Sequence, residues 1–190
     1  MIQVQLPDGN VIEHSDSATA LDVAAGIGER LARATIAASI DGTIVDAMRP
    51  LTELTDQRPV PLRLITERDP EALGVMRHSC AHIMARAVMR LFPGTGLAFG
   101  PTAGNGFYYD FARKEAFTPE DLEHIEKRMH EIVARDEKVV REVWERDAAV
   151  KFFLEQGEKY KAEIIAAIPA DQPITLYRQG AFIDLCRGPH

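Results

Sequence analysis

The chain has 190 residues, 46% of them apolar, and a formal net charge of −7, enough for one large or two small domains with real cores. That acidic balance argues against a surface built mainly to grip nucleic acid, which needs clustered Lys and Arg, although a local basic patch is compatible with it. No apolar run approaches the ~20 residues of a membrane span, Met1-Ile2-Gln3-Val4-Gln5 lacks the regions of a signal peptide, and two cysteines make no disulfide framework, so a cytoplasmic protein without membrane contact is expected.

Residues 2–6 alternate as a strand, Pro7-Asp8-Gly9-Asn10 is a turn, and Val11 to His14 returns as its hairpin partner. Ser17 or Thr19 caps a helix predicted over 20–33. Strands follow at 36–40, 44–46 and 61–66, with Asp41-Gly42 as a turn. Hairpin, helix and further short strands within residues 1–66 read as a β-grasp, ubiquitin-like domain. His14, Asp8 and Asp41 have turn or surface roles in it. The charged, proline-containing stretch at 67–72 reads as a linker.

The second domain, 73–190, begins with a helix over Leu73 to Leu91. Leu73, Met76, Cys80, Ile83, Met84, Ala87 and Leu91 form its expected apolar stripe. Pro93-Gly94 ends it, and a hairpin pairs Leu97-Ala98-Phe99 with Phe107 to Phe111 around Ala103-Gly104-Asn105-Gly106. Thr118-Pro119-Glu120-Asp121 is a strong helix start. Leu122, Ile125, Met129 and Ile132 mark that helix's buried side, with His124 and His130 in solvent. A strand over 138–143, helices over 147–154 and 158–168, and a hairpin of 174–178 with 181–185 complete an α+β sandwich.

Two pairs carry the chemistry. In His78-Ser79-Cys80-Ala81-His82 the i, i+4 spacing on a helix puts both rings one turn apart on one face, off the apolar stripe, which places Cys80 in the core. Cys186-Arg187-Gly188-Pro189-His190 repeats the three-residue gap. Three His and one Cys could hold Zn²⁺ or align a water for hydrolysis, and the residues leave both open. The Gly100 to Gly106 stretch lacks the Lys-Ser/Thr and following helix of a phosphate loop, and neither a Gly-x-Ser-x-Gly elbow nor His-Glu-x-x-His occurs.

The motifs His78-Ser-Cys-Ala-His82, Gly106-Phe-Tyr-Tyr-Asp110, Gly157-Glu-Lys-Tyr-Lys161 and Asp184-Leu-Cys-Arg-Gly-Pro-His190, in this order and spacing, closely resemble the N-terminal region of bacterial threonyl-tRNA synthetases. Residues 1–66 resemble the family's ubiquitin-like TGS domain and 73–190 its editing domain, here C-terminally shortened. The resemblance implies proofreading, in which serine wrongly esterified to threonine tRNA is hydrolysed. Its partner is then the tRNA acceptor end carrying serine, and the parent enzyme is a homodimer through a synthetase core not seen here. Zinc and ATP belong to that core, so no ligase activity is expected of this chain.

By motif position, His78, His82, Cys186 and His190 are the expected catalytic residues. The two helix histidines position or deprotonate water, while Cys186 and His190 form the far wall. Lys161 stabilises an oxyanion or binds a phosphate, Asp184 holds the seryl ammonium or orients a histidine, and Tyr109 packs beside the site. No metal or other cofactor is expected to be required. The alternative is a zinc-dependent aminoacyl-tRNA ester hydrolase resembling the alanyl editing domain, with His78, His82, Cys186 and His190 as ligands. A non-catalytic RNA- or partner-binding module is the reading from a different class.

Overall fold

In the computed structural model, which describes every residue from Met1 to His190, the alternation of Ile2 and Val4 with Gln3 and Gln5 forms β1 (Ile2–Gln5), whose apolar residues are buried and whose glutamines are exposed. It pairs antiparallel with β2 (Val11–His14) across the predicted turn, where the Asp8 carboxylate accepts from the Asn10 amide at 3.0 Å. With β3 (Thr35–Ile40), β4 (Thr43–Val45) and β5 (Val60–Thr66) it makes a mixed sheet ordered β2-β1-β5-β3-β4, in which β1 and β5 run parallel. α1 (Ala20–Ile27), started by a capping box between Thr19 and Asp22, buries Ala20, Val23 and Ala24. The core gathers Ile2, Val4, Val23, Leu51, Val60 and Leu62. This is the expected β-grasp.

One predicted element is corrected. The helix over 20–33 is two helices, because the chain is extended at Gly28 (φ 172°, ψ 143°) before α2 (Glu29–Ala34). Glycine is the weakest ordinary helix former, and α2 buries no residue that could draw one continuous helix through it.

The chain divides into two compact units, residues 1–76 with 188–190 and residues 77–187, so the boundary falls inside α3 (Ala72–Leu91). In the second unit, α3 is followed by four two-residue strands: β6 (Gly96–Leu97), β7 (Thr102–Ala103), β8 (Gly106–Phe107) and β9 (Phe111–Ala112). β6 pairs with β9 and β7 with β8, which resolves the predicted hairpin into two short ladders. α4 (Pro119–Ala134) starts at the expected cap, a box between Thr118 and Asp121. It buries Ile125 and Ile132 against Ala87 and Val88. Leu122, expected inside, is 59% exposed, and burial starts one turn later; His124 and His130 are exposed as expected.

β10 (Val139–Trp144), β11 (Ile174–Gln179) and β12 (Phe182–Leu185) form an antiparallel sheet. α5 (Arg146–Glu155) and α6 (Lys159–Ala167) cover one face, with Phe153 and Ile165 against Ile174, Leu176 and Ile183. Strand alternation sends Phe182 and Asp184 to the opposite face, where Phe182 packs against Ala81 and Ala85 of α3. The sheet is thus sandwiched between the α5–α6 pair and α3, an α+β arrangement as the sequence predicts. No helix is long and apolar enough to cross a membrane.

The apolar stripe predicted for α3 is wrong in its first half, since Leu73 and Met76 are about half exposed and Cys80 is intermediate. The residues that meet the sheet and hairpin side are Ala81 and Ala85. At about 100° per residue, these two flank His78 and His82. The histidines therefore border the buried face. Bulk misled the pattern: alanines lend little hydrophobicity to a stripe, yet they let a helix approach its neighbour closely.

Candidate functional site

Asp184 is buried in the second unit, and four segments send a group to it. Lys161, in the first turn of α6, places its Nζ 2.8 Å from Oδ1. Tyr109, between β8 and β9, donates its hydroxyl to Oδ2 at 2.7 Å and accepts from the Lys161 ammonium at 2.8 Å. His82 of α3 places Nδ1 3.1 Å from Oδ2. The amide of Leu185 on β12 itself donates to Oδ1 at 2.8 Å. A buried carboxylate survives only with such partners.

The electrostatics follow from that packing. Burial works against the charge on Asp184, but Lys161 and His82 outweigh it and hold the carboxyl well below the usual range. Burial also works against a charged His82; hydrogen bonds to Asp184 and Cys186 and the negative charge of both prevail, and its pKa rises to about 9. These contacts favour the doubly protonated ring of His82. Burial, then the Asp184 charge, pushes the Tyr109 phenol far up, so it remains a neutral donor.

Above this base lies the second histidine. The His78 and His82 rings stand edge to face with centroids 5.2 Å apart, as one helical turn requires. Cys186 Sγ lies 3.1 Å from His78 Nε2. Thr175 fixes the cysteine from both sides: its carbonyl accepts from the Cys186 amide at 3.1 Å and its hydroxyl donates to the Cys186 carbonyl.

The second unit thus brings together His78, His82, Cys186, Asp184, Lys161 and Tyr109. His190 belongs to the first unit, where its amide donates to Asp46 at 2.9 Å. Lys161 is buried, with only 3% of its surface exposed. Lys161 and Asp184 lie beneath the histidines, so they reach a ligand through His82 and Tyr109. Between the two roles expected of Asp184, this position favours orienting a histidine over holding an ammonium.

Sequence reasoning missed two contributors. Glu158, 5% exposed, accepts from the Leu97 amide at 2.8 Å and so ties β6 to the start of the Lys161 helix. Its pKa is raised, chiefly by burial. It sat inside the Gly157–Lys161 motif, but an acid before a helix looks like an ordinary solvated N-terminal residue. Thr175 gave no signal, since strand threonines are common.

The His78, His82 and Cys186 ligand atoms lie within 4.8 Å of one another. Asp184 lies against Nδ1 of His82, the usual carboxylate support of a metal-bound imidazole. With Zn–N near 2.0–2.1 Å and Zn–S near 2.3 Å, this donor set fits zinc as well as it fits an aligned water.

Comparison with known proteins places the whole chain. A TGS domain matches residues 2–53. The chain is 53% identical over 190 residues to the threonine–tRNA ligase of Rhodospirillum rubrum and 55% identical to that of Dechloromonas aromatica. It is 57% identical over 191 residues to that of Paramagnetospirillum magneticum. Each match takes in 100% of this chain and 29% of the relative. The resemblance read from four short motifs therefore extends over the entire sequence, which matches the N-terminal region of threonine–tRNA ligases.

Proposed function

We propose that this N-terminal region of a threonine–tRNA ligase hydrolyses serine wrongly esterified to threonine tRNA, with His78 and His82 at the reacting ester. The observation that carries the reading is the pairing of two unlike histidines on one helix face. His82 is anchored to buried Asp184, which raises its pKa, and Cys186 lies against both rings, with Sγ 3.1 Å from His78 Nε2.

In this reading His78 takes a proton from the attacking water as its oxygen bonds to the ester carbonyl carbon. The Nε2–H of His82 donates to the carbonyl oxygen as negative charge develops there. When the carbon–oxygen bond to the ribose breaks, the His78 proton passes to the ribose oxygen. Lys161 and Tyr109 hold Asp184, and Asp184 holds His82, so these three are positioning residues. The sequence motif adds His190 as the fourth group. Cys186 and His190 form the wall against the seryl side chain.

The need for such a site is energetic. One missing methyl gives a synthetic pocket only about 1–3 kcal/mol of discrimination. A second pocket that excludes the larger threonine supplies the remainder.

The test compares deacylation of seryl- and threonyl-tRNA by this chain and by the full ligase. Seryl-tRNA should be hydrolysed preferentially, and His78→Ala should slow that reaction by about 10²-fold or more. Equal rates on both substrates, or a His78→Ala variant as fast as the parent, would remove the assignment.

The donor geometry also favours a second reading, in which His78, His82, Cys186 and, by motif, His190 hold zinc. Bound there, zinc would supply an acidified water as nucleophile. Elemental analysis showing one tightly held zinc per chain, together with loss of hydrolysis on chelation, would decide for it.

A further inference from the structure

Away from the histidines, the second unit has a cavity of about 310 Å³ walled by four arginines: Arg86 and Arg90 of α3, and Arg128 and Arg135 from α4 and its C-cap. Met89 and Phe182 contribute apolar surface. No acidic residue lines it, which is unexpected in a chain of net charge −7. Two of the arginines are partly neutralised: Arg86 pairs with Glu137 at 2.6 Å and Arg128 with Glu131 at 3.1 Å. Arg90 and Arg135 are exposed and pair with no carboxylate. Like charges converging on one hollow repel each other, and an anion between them relieves that repulsion.

Two elements independently tie this hollow to the histidine site. His78, His82, Arg86 and Arg90 follow at intervals of four, so one slowly drifting ridge of α3 carries all of them, with Arg86 about 6 Å and Arg90 about 12 Å along the axis beyond His82. On β12, Phe182 and Asp184 are two apart and share a face, so the strand carries a cavity wall about 7 Å from the carboxylate that holds His82. A stacked nucleic-acid strand carries one phosphate per about 3.4 Å. The arginine cavity therefore lies roughly two to four nucleotides from an ester held at His82.

We propose that the Arg86–Arg90–Arg128–Arg135 cavity binds backbone phosphate of the single-stranded RNA end whose terminal ester lies at the histidines. Arg90 and Arg135 supply the uncompensated charge, while Arg86 and Arg128, held by their glutamates, fix the shape of the hollow. The site sets how far the strand advances toward the histidines. This assignment rests on the hydrolytic reading above, so its test reads binding separately from turnover.

The experiment follows fluorescence anisotropy of end-labelled, uncharged threonine tRNA titrated with this chain across a salt series. In Arg90→Gln/Arg135→Gln the affinity should fall roughly tenfold, and the slope of log affinity against log salt should flatten by about 1. Arg90→Lys/Arg135→Lys should keep the parent slope, because the charge persists. Lys151→Gln, an exposed α5 residue paired with Glu155, should bind as the parent does. Seryl-tRNA hydrolysis below saturation should fall with affinity in the Gln variant, whereas His78→Ala should lose hydrolysis and keep binding.

If the parent binds with arginine dependence but does not hydrolyse, the cavity assignment stands and the editing reading falls. If the parent hydrolyses but the Gln variant binds RNA unchanged, or no binding is measurable, the cavity assignment is overturned. Competition by inorganic phosphate or AMP that depends on Arg90 and Arg135, with unchanged RNA affinity, would make the cavity a small-phosphate site and overturn it equally.

Discussion

Lys161 and Asp184, with side chains 4% and 1% exposed, form an ion pair that water barely screens, so its two halves stabilise the fold only together. Lys161→Met leaves the buried carboxylate without its nearest cation, held only by Tyr109, His82 and the Leu185 amide, and should cost about 3–5 kcal/mol. Adding Asp184→Asn should recover part of that loss, which urea unfolding of the three variants would measure. If the double variant loses the sum of both single effects, the pair is not coupled. The sign of the pH dependence follows from the depressed native pKa of Asp184. Its contribution is fully present above the ordinary carboxylate value and is lost as pH falls through that value toward the native one, because the unfolded chain takes up the proton first. Acid unfolding should therefore be shallower in Asp184→Asn than in the parent. None of these partnerships could be read from the chain, where 23 residues separate Lys161 from Asp184 and 75 separate Tyr109 from it; the residue types and motifs were legible, but their wiring was not.

At the scale of elements, two substitutions of similar size should have opposite reach. Thr118→Ala removes the cap of α4, whose hydroxyl accepts from the Asp121 amide. That change should destabilise by about 1 kcal/mol and leave the proposed seryl-tRNA hydrolysis at saturating substrate intact, since α4 supplies no group to the histidines and Thr118 lies at the end of α4 away from Arg128 and Arg135. Gly100→Ala would set a Cβ 2.1 Å from Cδ2 of Tyr109. The ring is wedged between that backbone and Phe111, on which it stacks at 5.1 Å. It has to move, taking its hydroxyl off Asp184 and Lys161, at a cost of about 1–3 kcal/mol. Hydrolysis should fall along with stability, and a Gly100→Ala variant as active as the parent would show that Tyr109 does not hold the site. Thr118 announced itself in sequence through Pro119, Glu120 and Asp121. Gly100 did not, because a close approach of backbone to ring depends on how β6 and β9 pair. The α3 stripe failed for a related reason: Ala81 and Ala85 do the packing, and a hydropathy pattern weights Leu73 and Met76 above them.

Across the whole molecule, each compact unit has its own core, and the sequence disclosed the parts of each that follow a regular period. The first unit's core is the alternation of Ile2 and Val4 on β1 and of Val60 and Leu62 on β5, closed by Val23 of α1 and by Leu51, which has no exposed surface. Leu51 sits in a single 3-10 turn, where no period exists to reveal it, and it escaped the sequence reading despite being among the largest fully buried side chains. Truncating it tests whether this irregular segment is structural. Leu51→Ala removes a buried side chain and leaves a cavity, for an expected loss of about 2–5 kcal/mol. Amide exchange should then quicken in β1, β3 and β5, the strands that the Leu51 cluster joins. A loss below about 1 kcal/mol, within the range of ordinary surface substitutions and mild core changes, would mean that the segment over 51–53 only covers the sheet and does not hold it.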